Sequence, residues 1–253
     1  MLAQMARLLF KLLAALLVIV VAGLATFYIV DGHPLAESAG YLEGSGYMAE
    51  GRSDGGWLFR SHAPNGRGLL IMHGALIKPQ SYAKTAAFFA KRGYTVLLPY
   101  GGATRLPINA LDAASDAIRE LDLTQWYSIG HSLGGMASLE VIQRNPDLPF
   151  VGAALWASGI PADYSAVAVP ILFLWGDHDD LLPRSRFEAG QAKLPDSVEY
   201  VTVAGANHKD FAMYGHQFLD GEGQLGWAQQ IDDANRVTLA FFNRLSGGMG
   251  PDE

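Results

Sequence analysis

The sequence of 253 residues contains no cysteine. This absence excludes a disulfide framework, a thiolate nucleophile and a cysteine-ligated metal site. Charge is scarce as well, because only 17% of the residues are charged while 50% are hydrophobic, and this composition excludes a disordered chain. The formal net charge is -7 and no basic run follows residue 11, so we expect no nucleic acid partner. The length favours a single domain with a single active site.

A long uncharged run lies close to the N-terminus. Residues 12–30 contain no charged side chain and would span about 28 Å as a helix, which matches the core of a bilayer. Arg7 and Lys11 precede this run and Asp31 follows it. The positive-inside tendency therefore predicts a cytoplasmic segment 1–11, a transmembrane signal anchor that makes the lipid bilayer a partner, and a periplasmic or extracellular domain.

Two alternatives to the anchor remain open from the sequence. Gly23 and Ala25 are small residues that could mark the cleavage site of a signal peptide, in which case the domain would be secreted. The run could also be a buried helix of the folded domain, although it is longer and more uniformly apolar than core helices usually are.

Short apolar runs alternate with amphipathic ones in the remainder of the chain. The glycine-rich residues 31–56 predict a flexible linker or lead-in, followed by a folded domain at 57–246 and a tail at 247–253. The predicted strands are 69–72, 94–98, 126–129, 150–156, 171–175 and 198–203, and the predicted helices are 79–92, 108–121, 136–144, 184–193 and 226–244. This alternation predicts an α/β fold with a mostly parallel, doubly wound sheet that has helices on both faces.

The segment Gly130-His131-Ser132-Leu133-Gly134 fits the pattern G-x-S-x-G. In this turn the glycines let a strand bend sharply into a helix, and the serine side chain stands exposed at the top of the sheet. A pentapeptide is weak by itself, but a predicted strand at 126–129 precedes it, and Gly135 and Ala137 open a helix after it. The context therefore predicts that Ser132 is a nucleophile.

A serine hydroxyl needs an imidazole to accept its proton and a carboxylate to orient that imidazole. Asp177, Asp179 and Asp180 come directly after the predicted strand 171–175, and His208 follows the next strand. The order Ser, Asp, His is the one expected for a sheet of this kind rather than for chymotrypsin-like or subtilisin-like enzymes. The other six histidines lie in glycine motifs, in the acidic loop or outside any motif, which leaves His208 as the candidate base.

Together these motifs resemble those of the α/β-hydrolase superfamily, and the resemblance covers the chain from about residue 57 to residue 245. In that family the acid is usually the Asp of G-x-x-D-x-x-x-P, which implies Asp179, with Asp177 and Asp180 as alternatives. The segment Gly205-Ala206-Asn207-His208 is similar to the G-x-N-H loop of a lidless, esterase- and lipase-like branch, which implies that His208 is the base.

An oxyanion hole needs a pair of backbone donors. The first expected donor is the N–H of Leu133, directly after the nucleophile. His73-Gly74-Ala75 resembles the H-G-x motif of the family and follows a predicted strand, which implies that Ala75 supplies the second N–H.

Many members of the superfamily carry a lid between the strands that here end at 156 and begin near 171. The connection of residues 157–170 is too short for a cap domain, so we expect an open pocket. The predicted pocket residues are Tyr100, Trp156, Ile160, Tyr164, Phe211 and Tyr214. Their apolar character favours a small-molecule ester or acyl substrate, cleaved through an acyl-enzyme without a metal or cofactor. Thioester or amide hydrolysis, acyl transfer and a non-catalytic, membrane-tethered binding protein are the alternatives.

Overall fold

The structure is a computed structural model that describes residues 2–30 and 32–247. Its strands form a single sheet. In this part of the chain the strands are β1 (Tyr47–Gly51), β2 (Trp57–Ser61), β3 (Arg67–Met72), β4 (Thr95–Leu98), β5 (Gln125–His131), β6 (Phe150–Trp156), β7 (Ile171–Gly176) and β8 (Glu199–Val203). The helices are α1 (Leu2–Val30), α2 (Ala83–Ala90), α3 (Leu111–Leu121), α4 (Leu133–Arg144), α5 (Arg184–Gln191) and α6 (Trp227–Leu245). The strand order across the sheet is β1-β2-β4-β3-β5-β6-β7-β8.

The six strands from β3 to β8 are all parallel to their neighbours in this group, whereas β1 and β2 pair antiparallel at one edge. The alternating side chains of β3 show that helices cover both faces of the sheet. Leu69 and Ile71 pack in the core under α2 and α6, while Leu70 and Met72 pack in the core under α3 and α4. Because successive side chains of a strand point to opposite faces, a strand buried on both sides reads as a continuous apolar run. The predicted α/β-hydrolase fold class is confirmed.

The predicted helices agree with the structure except at their ends, and α2 and α5 each finish two residues before the predicted bound. Residues 79–92 split into a 3-10 turn at Pro79–Tyr82 followed by α2, and residues 107–110 form a similar turn before α3. Helix α4 begins at Leu133 rather than at 136, because the chain enters the helix directly after Ser132.

The predicted linker is the main difference between sequence and structure. Residues 32–56 belong to the folded domain: Ala36–Tyr41 form a 3-10 helix, and β1 adds a strand to the sheet through its pairing with β2. Among the glycines of this segment lies Tyr47, which is buried in the core with its ring 5.6 Å from the ring of Phe59. Asp31 and residues 248–253, which include nearly all of the predicted tail, lie outside the described residues.

Helix α1 is a candidate membrane span. Its segment Arg7–Ala25 has a mean hydropathy of 2.7, and none of it is buried in the structure. A buried helix of the domain is therefore excluded for this segment, whereas an anchor and a signal peptide both pass the same test of length and composition.

The parallel strands bring their carboxyl ends to one edge of the sheet, where binding sites of such sheets collect. His73 follows β3, Ser132 follows β5, Asp179 follows β7 and His208 follows β8. The topology thereby collects residues that are up to 135 positions apart in the chain at one place.

We predict that Tyr47→Ala lowers the free energy of unfolding by about 3–5 kcal/mol, the usual cost of truncating a buried aromatic side chain. Tyr47→Phe should cost only about 1 kcal/mol, because it removes only the hydrogen bond that the Tyr47 hydroxyl donates to the carbonyl of Tyr41. Urea unfolding in detergent measures both values. Met48→Ala on the same strand is the control, since the Met48 side chain is exposed. Equal stabilities of wild type and Tyr47→Ala would mean that the segment is a linker after all.

Candidate active site

Ser132 sits in a sharp turn between β5 and α4. Its backbone has φ 54° and ψ -122°, a conformation that a residue with a Cβ rarely adopts. Close packing holds the turn, since a Cβ at Gly130 would overlap the carbonyl oxygen of Gly134, and a Cβ at Gly134 would overlap that of Met72. Both glycines of the motif are therefore required by steric contact.

The structure brings the predicted nucleophile, base and acid together. The hydroxyl of Ser132 lies 2.9 Å from Nε2 of His208, and Nδ1 of His208 lies 2.8 Å from Oδ2 of Asp179. Asp179 and His208 are buried, and the second oxygen of Asp179 accepts a hydrogen bond from the backbone N–H of Leu182 at 2.6 Å. With Nδ1–H donated to the carboxylate, Nε2 is free to accept the proton of the serine hydroxyl.

The other two aspartates of the loop do not reach the imidazole of His208. Asp177 accepts hydrogen bonds from Nδ1 of His178 at 2.8 Å and from the N–H of Gly205 at 2.7 Å. The bond from His178 lowers the pKa of Asp177. Asp180 is exposed. Of the three alternatives left open by the sequence, only Asp179 contacts His208.

The loop that carries His208 is held by two side chains that no motif revealed. The carboxylate of Asp220 accepts the backbone N–H of His208 at 3.2 Å and that of Lys209 at 2.7 Å. Gln230 of α6 accepts the N–H of Asn207 at 3.2 Å and donates to its carbonyl at 2.8 Å. Burial raises the pKa of Asp220, while its backbone hydrogen bonds oppose the rise. The position of the imidazole thus depends on contacts with distant parts of the chain.

The predicted oxyanion donors border the same pocket as Ser132. Ala75 and Leu133 both line it. The loop after β3 is fixed by His73, whose Nδ1–H donates to the carbonyl of Gly74 at 2.7 Å while its Nε2 accepts the N–H of Gly101 at 3.2 Å. Leu76, the next residue after Ala75, has φ 64° and donates its N–H to the carbonyl of Arg105 at 2.7 Å.

We call the loop after β3, which carries the predicted oxyanion donor Ala75, the oxyanion loop, and the loop that carries the predicted base His208 the base loop. A buried series of hydrogen bonds links these two loops through His131, the residue before Ser132. Gly74 N–H donates to the Tyr82 hydroxyl at 2.8 Å, which lies 2.8 Å from Nδ1 of His131. Nε2 of His131 lies 3.0 Å from the carbonyl of His208. Burial, with the neighbouring imidazole of His208, holds the pKa of His131 well below its usual value, and burial raises the pKa of Tyr82. Both side chains are therefore neutral, and Tyr82 donates to His131, which donates to His208.

A pocket of about 590 Å³ opens beside the serine hydroxyl. It is lined by Ala75, Ile77, Ser132, Leu133, Ala157, Gly159, Ile160, Pro161, Leu181, Leu182, Arg186, Ala189, Gly190, Lys193, His208 and Gln217. Most of these side chains are apolar. Of its cationic residues, Lys193 donates to the carbonyls of Ile160 and Pro161, and Arg186 donates to that of Leu181, so both help to hold the walls.

The predicted pocket residues need correction. Ile160 lines the pocket, but the other five do not. Trp156, Phe211 and Tyr214 are buried in the core under α6, Tyr164 is buried against α4 with its hydroxyl donating to Glu140, and Tyr100 lies half-buried with its ring 5.8 Å from that of His73. Position near a strand end does not decide which way a side chain points. Small residues and the segment 181–193 form the walls instead.

No three histidine, aspartate or glutamate side chains are grouped to hold a metal ion in residues 2–30 and 32–247. The residues around Ser132 are suited to proton transfer and to binding an apolar group.

We predict that the free energy of unfolding falls as the pH is lowered from about 6.5 towards 4, by up to about 1.4 kcal/mol per pH unit through the buried imidazole of His73. Burial lowers the pKa of His73 from 6.5 to about 4, so the unfolded chain takes up a proton at a higher pH than the native state does. The stabilisation is complete above 6.5 and is lost towards 4. His73→Gln should therefore flatten the dependence measured by urea unfolding. The exposed His62 offers the control His62→Gln, and equal slopes in wild type and His73→Gln would contradict the prediction.

Solved structures that share this fold include an esterase of Bacillus subtilis and Est1E of Butyrivibrio proteoclasticus. The naproxen esterase (carboxylesterase NP) of Bacillus subtilis aligns with a TM-score of 0.55 at 16% identity, over 78% of this chain and 91% of the esterase. Est1E of Butyrivibrio proteoclasticus, solved with ferulic acid bound, aligns with a TM-score of 0.54 at 15% identity, over 76% of this chain and 98% of Est1E. At this level of identity the likeness shows the fold alone.

The sequence is also similar to those of curated proteins, and it matches a family model. Cutinase 1 of Thermobifida cellulosilytica is 27% identical over 133 residues, which are 51% of this chain and 50% of the cutinase. This chain therefore matches about half the length of that relative. The family model described as the alpha/beta hydrolase family matches residues 68–232, which contain Ser132, Asp179 and His208. On that match, over more than half of its length, the chain belongs to the alpha/beta hydrolase family.

Proposed function

We propose that the protein is a serine hydrolase that cleaves carboxylic esters through an acyl-enzyme. The observation that carries this proposal is the line of hydrogen bonds from the Ser132 hydroxyl through the imidazole of His208 to the buried carboxylate of Asp179, at the wall of an apolar pocket. A serine activated in this way attacks acyl groups.

In the proposed mechanism, Ser132 Oγ attacks the ester carbonyl as its proton moves to Nε2 of His208. The backbone N–H groups of Leu133 and Ala75 bind the oxyanion of the tetrahedral intermediate. His208 then gives the proton to the leaving alcohol, and the acyl-enzyme forms. A water molecule, deprotonated by the same imidazole, releases the acid and restores Ser132. Asp179 keeps the imidazole in the tautomer that can accept the proton.

The names of similar proteins favour an ester over other acyl substrates, and the pocket suits the apolar part of such a molecule. The pocket walls are mostly apolar, which suits an acyl or alkyl chain. The relative and the two structural neighbours described above are named as a cutinase, as an esterase and as a protein solved with ferulic acid bound. Thioesterase, amidase and acyltransferase activity use the same residues and stay as alternatives.

A non-catalytic binding protein is the alternative from another class. The backbone of Ser132 argues against it, because a non-glycine residue at φ 54° costs free energy and such strain is typical of functional sites. A binding pocket has no need of a strained serine next to an oriented imidazole.

We further propose that α1 is an uncleaved anchor, with its N-terminus in the cytoplasm and the hydrolase domain on the outer side of the membrane. The uncharged run continues beyond the small residues Gly23 and Ala25 as far as Val30, which is long for a signal peptide. A cleaved signal peptide and a secreted domain form the alternative.

We predict that a fluorophosphonate probe labels the wild type and fails to label Ser132→Ala. The exposed Ser165 gives the matched control Ser165→Ala, which should label like the wild type. His208→Ala should lower the hydrolysis of p-nitrophenyl butyrate by about 10³-fold or more, because the serine proton then has no acceptor. Equal labelling of wild type and Ser132→Ala would overturn the hydrolase proposal.

The acid assignment has its own test. We predict that Asp179→Asn lowers kcat for p-nitrophenyl butyrate by about 10²- to 10⁴-fold, because an amide no longer holds the productive tautomer of His208. Asp177→Asn is the matched control two positions away and should cost less than about tenfold, since Asp177 contacts His178 and the Gly205 N–H instead. If Asp177→Asn were the crippling change, Asp179 would lose its proposed role.

A further inference from the structure

The segment that joins α1 to the domain lies against the loops of the active site. Its contacts are backbone hydrogen bonds on two sides. Lys78 N–H donates to the carbonyl of Gly32 at 3.1 Å, Leu35 N–H donates to that of Met213 at 2.9 Å, and Gly215 N–H donates to that of His33 at 3.3 Å. Residues 32–35 are thus wedged between the oxyanion loop and the segment that follows His208.

Both of these neighbours border the pocket. Ala75 and Ile77 line it from one side and Gln217 from the other. Gly32 has φ 71°, and a Cβ there would overlap the carbonyl of Leu76, so the segment touches the oxyanion loop backbone to backbone. This contact leaves little freedom in where the chain enters the domain.

The end of α1 is therefore held close to the pocket. Gly32 is two positions after Val30, and an extended chain of that length spans at most about 7 Å. A membrane that holds α1 therefore passes close to the loops that border the pocket.

Two exposed apolar residues lie in the loop on the same side. Phe218 is 55% exposed and Leu219 is 69% exposed; the other exposed large hydrophobic residues described outside α1 are Met48 and Tyr200. Leu219 lies four residues after Gly215, which is at most about 14 Å along the chain. We call Phe218 and Leu219 the apolar tip.

The backbone of the apolar tip is held in place rather than loose. Leu219 has φ 66°, a left-handed conformation that persists in a leucine only where the surroundings impose it. The next residue, Asp220, accepts the backbone N–H groups of His208 and Lys209. The tip is therefore connected rigidly to the loop of the proposed base.

We propose that the pocket faces the bilayer that holds α1, that the apolar tip dips into the surface of this bilayer, and that the substrate is an ester of a bilayer-resident amphiphile. The proposal rests on the proposed hydrolase function and on the anchor. An acyl chain that moves from the leaflet into an apolar pocket at its surface avoids exposure to water. The anchor also keeps the pocket at a high effective concentration of such molecules.

The absence of cysteine makes the placement testable without catalysis. Leu219→Cys and the control Met48→Cys, each labelled with a nitrobenzoxadiazole fluorophore on the full chain, are reconstituted in phosphatidylcholine vesicles that contain nitroxide-labelled lipid. We expect quenching at 219 that is at least about twofold stronger than at 48, because the tip contacts the interfacial zone of the bilayer. Equal quenching at the two positions would overturn the proposal.

The source of the substrate has a separate test. A Gly-Ser spacer of about ten residues inserted after Val30 would let the domain move by about 18 Å from the membrane while leaving the active site intact. The readout is the ratio of two rates on the reconstituted chain: p-nitrophenyl palmitate carried in the vesicles against p-nitrophenyl acetate in solution. We expect the spacer and Leu219→Asp each to lower this ratio about tenfold or more, and Met48→Asp to leave it within about twofold.

The outcomes separate the two proposals. An unchanged ratio in the spacer variant, with normal hydrolysis of the acetate, overturns the membrane-facing pocket and leaves the hydrolase intact. A wild type that hydrolyses neither ester but shows quenching at 219 contradicts the proposed function and supports the placement. Recovery from cells of a soluble chain that begins near residue 26 would contradict the anchor and the inference that rests on it.

Discussion

At Gly130 and Gly134 the backbone of one turn packs so closely against its surroundings that neither position has room for a Cβ. Gly134 lies against Met72, so the turn that carries Ser132 is pressed onto the end of β3, from which the oxyanion loop departs. Two parts of the proposed site are thereby fixed to each other by backbone contact. A methyl group at either glycine would displace this turn and move the Ser132 hydroxyl away from the imidazole of His208.

Two buried, uncharged side chains, Tyr82 and His131, also hold the loops of the site in place. Tyr82 and His131 stay neutral because burial opposes ionisation, and each can then donate one hydrogen bond and accept another. Because both side chains are neutral, every hydrogen bond in the series from the Gly74 N–H to the His208 carbonyl is donated in the same direction. A charge on either member would demand water or a counter-ion that the packed interior cannot supply.

The sequence predicted well what depends on short stretches of chain. Strands buried on both faces read as apolar runs, and Ser132 and Asp179 follow two of them, β5 and β7. His208 follows β8, a mostly exposed strand, and completes the order Ser, Asp, His. Contacts between distant segments left no local mark. Asp220 and Gln230 support the base loop from 12 and 23 positions away, and a polar residue in a loop or on a helix looks like any other there.

Two errors have a physical explanation. The glycines of residues 32–56 suggested flexibility, but Tyr47 buries a ring in the core and orders the strand around it. The aromatic residues near strand ends suggested a pocket lining, but alternation along a strand and the helices above it turn rings such as that of Trp156 into the core. Hydrophobicity predicts burial without saying whether the partner is the core or a ligand.

Helix α4 begins at the residue after Ser132 and runs for 12 residues away from the site, with no acidic side chain in its first turn. The aligned peptide dipoles of such a helix place a partial positive charge at its first residues, and no carboxylate is present there to cancel it. An electric field of the sign that favours an oxyanion therefore exists at Ser132 before any substrate arrives. Because the helix is rigid, this field would need no rearrangement in the proposed attack of Ser132, which places negative charge on a carbonyl oxygen.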